Sequence, residues 1–103
     1  CYVYELRRRP GAAGPKALRD CAGIIPPDTR RKIDGRGMKN GHFLRRGDFA
    51  PPDLRGMPEA IVLHQLGSPV TLTFESPSEF SLLDRIAVQK QFIRSALKHE
   101  LGL

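Results

Sequence analysis

Residues 70–101 read VTLTFESPSEFSLLDRIAVQKQFIRSALKHEL, and the change of period inside this stretch decides the fold class. Val70-Thr71-Leu72-Thr73-Phe74 alternates apolar and hydroxyl-bearing side chains, the period of a half-buried strand with Val70, Leu72 and Phe74 inward. Ser76-Pro77-Ser78-Glu79 then matches a capping box with proline at its first helical position, so a long helix is expected from about Pro77 to Leu101. Leu82, Leu83, Ile86, Ile93 and Leu97 recur on one stripe of that helix and are expected to face the core. Lys98 in the last turn and Gly102 beyond it supply the stop signal.

Upstream, residues 2–9 alternate as a first strand that ends at Pro10-Gly11, and Gly14-Pro15 opens a short helix over 16–22 closed by Gly23. Ile24 and Ile25 are expected in the core, and Asp28-Thr29 can cap one helical turn through Ile33. Residues 34–47 carry four glycines among four Lys/Arg, which predicts an exposed loop, with Asn40-Gly41 turning into a short strand, His42–Arg45. Asp48 to Pro58 reads as a connector with three prolines. Glu59–Leu66 suits a helix start at Pro58 or a buried strand at Ile61-Val62, and the strand over 60–65 is favoured. The expected fold is α+β, a small mostly antiparallel sheet with the long C-terminal helix packed on one face, in a single domain over 1–103. The longest apolar run has four residues, which excludes a membrane-spanning helix.

Charge is one-sided. Of 17 Lys/Arg and 11 Asp/Glu, residues 1–56 hold 13 and 6, so this half carries +7 while residues 57–103 carry −1. Twelve of the cations are Arg, whose planar fork pairs bidentately with phosphate. Arg7, Arg8, Arg9, Arg30, Arg31, Lys32, Arg36, Lys39, Arg45 and Arg46 are therefore expected to bind nucleic acid. The first residue is Cys1 and not Met, which points to processing or excision from a longer chain. Cys1 and Cys21 could form at most one bridge, and no His or Cys pair has metal-ligand spacing, so no metal and no cofactor are expected.

Residues 36–49 gather the most catalytic residue types. His42 among Lys39, Arg45 and Arg46 could act as acid or base in phosphodiester cleavage, with Asp48 or His64 completing the pair. No P-loop, G-x-G-x-x-G, H-E-x-x-H or G-x-S-x-G motif is present. Tyr2-Val3-Tyr4 resembles the first strand of GIY-YIG nucleases, and residues 44–52 resemble the Arg-containing strand of ADP-ribosyltransferase toxins. Neither family's second motif is present, and none of their residues is carried over. The leading expectation is an RNA-engaging domain, a metal-independent ribonuclease effector that is secreted or delivered to a target cell and is met by an acidic immunity protein. The alternatives are a non-enzymatic nucleic-acid-binding module and a protein-docking domain using its basic face.

Overall fold

The computed structural model describes residues 1–47 and 55–103; Asp48 and most of the proline-rich connector lie outside the described residues. Strand β1 (Tyr2–Arg7) occupies the centre of a three-stranded sheet, flanked by β4 (His42–Arg46) and β5 (Val70–Glu75). It pairs antiparallel with β5, Val3 opposite Phe74 and Glu5 opposite Leu72, but parallel with β4, Val3 opposite His42 and Arg7 opposite Arg46. The parallel pairing requires a crossover, and helix α1 (Gly14–Cys21) lies within it. Strands β2 (Lys32–Ile33) and β3 (Arg36–Gly37) form a separate antiparallel ribbon. The class is α+β; two of the three strand pairings among the described residues are antiparallel, and the sheet is mixed.

The core lies between the sheet and two helices, α1 and the C-terminal α3 (Leu82–Leu101). Val3 from β1 meets Ala17, Leu18 and Cys21 of α1 and Val88, Phe92 and Ala96 of α3, with Leu72 and Phe74 of β5 alongside. Phe74 stacks on Phe92 with ring centroids 4.1 Å apart. Both cysteines are buried free thiols, and burial pushes that of Cys21 up to about 11, so it acts as an apolar filler.

Four local expectations are overturned. Residues 59–65 form helix α2 (Glu59–Gln65), not a strand, because Pro58 fits a helix N-terminus and four carbonyl-to-amide links from Pro58, Val62 and His64 close its turns. The residues after Asp28 form β2 and not a helical turn; Asp28 instead accepts from the backbone and guanidinium of Arg30, and Asp34-Gly35, both at positive φ, make the hairpin. Helix α3 starts at Leu82, since the Pro77–Phe80 turn tucks Phe80 against the core and the hydroxyl of Ser81 caps the amide of Asp84 at 3.1 Å. Most consequentially, Leu82, Leu83, Ile86, Ile93 and Leu97 are exposed, and the buried face of α3 is Val88, Phe92, Ser95 and Ala96. Small side chains at 95 and 96 let α3 approach α1, whose facing residues Ala17 and Cys21 are also small.

The Asn40-Gly41 turn forms as expected, with both residues at positive φ and Lys39 and His42 exchanging two backbone hydrogen bonds of 3.0 Å. Gly41 is needed twice over: its φ is +77°, and a Cβ there would lie 2.9 Å from the carbonyl oxygen of Cys1; its own carbonyl accepts from Val3 at 2.8 Å and ties the turn to β1. This turn sets His42 at the start of β4, beside β1.

Candidate functional site

Alternation along β1 sends Val3, Glu5 and Arg7 to the helix-covered face, so a carboxylate and a guanidinium enter the interior two residues apart. Glu5 is 0 % exposed and fully used. Its Oε1 accepts from Nε2 of His42 at 2.7 Å and from the amide of Gly14 at 3.0 Å, and its Oε2 accepts from Nη1 of Arg7 at 2.7 Å and from the amide of Ala13 at 3.0 Å. Those two amides begin α1, where the positive end of the helix favours an anion. Burial pushes the Glu5 carboxyl up, but the hydrogen bonds from His42, Arg7, Gly14 and Ala13 outweigh it and hold the group at about 2. Glu5 is therefore ionised at neutral pH.

Arg7 extends the network to the last turn of α3. It donates to Glu100, to the carbonyl of Arg9 at 3.2 Å and to that of Pro10 at 3.0 Å, while Arg9 also donates to Glu100. Those guanidinium contacts, Arg7 first, pull the Glu100 carboxyl below its usual range. The chain Arg9–Glu100–Arg7–Glu5–His42 thus ties α3, β1, α1 and β4 together with no unmatched carboxylate.

His42 is the outward end of that chain, partly exposed in a pocket of about 480 Å³ lined also by Pro15, Leu18, Arg19, Pro27, Lys39 and Asn40. Because the ionised Glu5 can only accept, Nε2 of His42 donates to it, which fixes the orientation of the imidazole. Two cations, Arg19 and Lys39, flank it in the same pocket. The arrangement can therefore hold an anionic or hydrogen-bond-donating group against an oriented imidazole.

The other predicted catalytic residues do not join it. His64 is fully buried at the end of α2, where Nε2 donates to the carbonyl of Gly47 at 3.0 Å and its own carbonyl accepts from Arg8 at 2.8 Å. Gly47 follows the far end of β4, so His42 and His64 stand a strand apart, roughly 16 Å at ~3.3 Å per residue. Asp48 lies outside the described residues. The predicted phosphate-binding cations do not make one surface either. Arg7 is buried in the network, Arg8 and Arg9 are engaged as above, and Arg30 pairs with Asp28 at 2.7 Å. Arg36 lies over the rings of Tyr4 and Phe43 at 5.2 and 5.9 Å. Arg31 and Lys32 are exposed on the β2–β3 side, Arg45 and Arg46 at the end of β4, and Lys39 alone of the set lines the His42 pocket. Glu5, Gly14, Arg19 and Glu100 were missed, although an acidic residue at an inward position of the Tyr2–Arg7 alternation is itself a signal.

Neither a protein-family model nor a curated protein matches this sequence. Among solved structures, the chain is similar to a candidate metallopeptidase from Shewanella amazonensis, with a TM-score of 0.74 and 17% identity over 95% of this chain. It is similar also to a candidate metallopeptidase from Shewanella denitrificans, with a TM-score of 0.72 and 15% identity over the same share. The chain spans 35% of each of those chains, and at such identities the likeness is one of fold. It overturns the expectation of an RNA-binding or ribonuclease domain, in agreement with the separation of His42 from His64 and the burial of Arg7.

The description of those neighbours implies a metal. Among the described residues no three His, Cys, Asp or Glu side chains converge as a metal-binding group, and both oxygens of Glu5 are filled by nitrogen donors. This donor set does not fit a divalent cation.

Proposed function

We propose that the chain is a peptide-binding part of a peptidase-type hydrolase, and that its own contribution is to hold a peptide at the His42 pocket. The observation that carries this reading is the likeness of fold to the two candidate metallopeptidases over 95% of the chain. The pocket supports it, with Arg19 and Lys39 suited to an acidic side chain or terminal carboxylate and His42 held in one orientation by Glu5. Peptide-bond cleavage by a metal calls for donors beyond the described residues, so no bond-breaking step is assigned to His42.

Calorimetric titration with short peptides tests the proposal. Peptides bearing Glu should bind more tightly than their Lys counterparts, and Lys39→Glu should reverse the preference or abolish binding while the fold is kept. Equal or absent binding of both peptides to the wild-type protein would overturn the reading.

A further inference from the structure

Helix α3 carries a second apolar face that the fold does not use. Leu82, Ile86, Ile93, Leu97 and Leu101 share one side of the helix at 100° per residue and are 62, 43, 58, 56 and 65 % exposed. The buried face, centred on Val88, Phe92, Ser95 and Ala96, looks away from them. Exposed leucines scattered singly are ordinary, but five large apolar residues on one side of a 20-residue helix, broken only at the Gln89-Lys90 turn, mark a contact surface.

We infer that this stripe docks an apolar helical face flanked by carboxylates. The charge pattern selects that occupant. Lys90, Arg94 and Lys98 are exposed and follow one another at four-residue spacing along one flank of the stripe. A second copy offers no matching row of carboxylates: the exposed charged side chains of α3 are Lys90, Arg94 and Lys98 with the single acid Asp84. Glu100 cannot relieve this, because it is held by Arg7 and Arg9. A partner with Glu or Asp along its matching flank neutralises the row and covers the leucines together. The source of such a face follows from the peptidase-type reading: the similar chains contain nearly twice as much further polypeptide as this chain spans, enough for an additional layer against α3.

The test uses two synthetic amphipathic helical peptides of roughly 20 residues with the same leucine stripe, one flanked by Glu and one by Lys. The isotope-labelled protein is titrated with each and observed by NMR. The Glu-flanked peptide should shift resonances within residues 82–101, bind at least about tenfold more tightly than the Lys-flanked one, and weaken when salt is raised from about 0.05 to about 0.5 M. Ile93→Asn and Leu97→Asn should each weaken it about tenfold with unchanged melting, since both side chains are exposed. Equal binding of the two peptides, no binding, or a concentration-dependent dimer broken by Ile93→Asn would overturn the inference. Because the stripe is remote in sequence from the His42 pocket, His42→Asn should leave this binding unchanged, which separates its failure from failure of the peptide-pocket reading.

Discussion

Glu5→Gln is the substitution with the largest expected effect. Both oxygens of Glu5 accept from two donors each, so an amide nitrogen placed at either position meets at least one N–H with which it cannot bond. On the His42 side the imidazole can switch tautomer, which leaves the amide of Gly14 as the unsatisfied donor; on the other side both Arg7 and Ala13 are donors. The change also removes the anion that, with Glu100, neutralises the buried Arg7. Breaking one partner of a buried pair costs about 3–5 kcal/mol. Independently, the fall of the Glu5 carboxyl from its ordinary 4.5 to about 2 corresponds to about 3 kcal/mol, at ~1.4 kcal/mol per pH unit. For a domain of about 100 residues this lowers Tm by roughly 12 °C or more. The pH dependence has a definite sign: a depressed carboxyl stabilises fully above about 4.5, and that contribution is lost as pH falls toward about 2. Melting followed by circular dichroism should therefore show wild type and Glu5→Gln far apart at pH 7 and converging between pH 4.5 and 2. A Tm difference below about 2 °C at pH 7, or one that does not shrink in acid, would refute the network as described.

Three further substitutions probe the frame around the pocket. Gly14→Ala places a Cβ 2.5 Å from Cδ2 of His42 and 2.8 Å from Oε1 of Glu5, so it should destabilise by roughly 1–3 kcal/mol and weaken peptide binding together, as measured by urea unfolding and calorimetry. Phe92→Ala should cost about 3–5 kcal/mol, whereas Ile93→Ala should stay within about 0.5 kcal/mol in the same unfolding assay, because one is in the core and its neighbour is 58 % exposed. His64→Leu should cost about 1–3 kcal/mol by leaving the carbonyl of Gly47 unbonded, with peptide affinity at the His42 pocket kept.

The period of side chains made the elements legible, and long-range partners made the rest illegible. Val70–Glu75 and the helix ending at Gly102 follow from alternation and capping alone. The Asn40-Gly41 turn was legible too, but β4 runs on to pair in parallel with β1 across a crossover that no local signal announces. The orientation of α3 is not legible locally, because its most apolar stripe is not its core face. The smaller stripe wins, since Ser95 and Ala96 permit close approach to α1 while Phe92 finds Phe74 to stack on. At the site, His42 was visible as a histidine among cations, yet its real partner is Glu5, 37 residues earlier, and not His64 or the neighbouring Asp48. Counting Arg residues predicted a phosphate surface; counting their carboxylate partners in space removes Arg7, Arg9 and Arg30 from it.

The central claim is that the His42 pocket takes peptide, and a comparative NMR titration tests it most directly. The labelled protein is titrated with a short Glu-containing peptide and, in parallel, with a single-stranded RNA oligonucleotide of equal charge. Saturable peptide-dependent shifts at Leu18, Arg19, Lys39, Asn40 and His42, lost in His42→Ala and not reproduced by RNA, are the predicted result. Saturable shifts with RNA and none with peptide would contradict it.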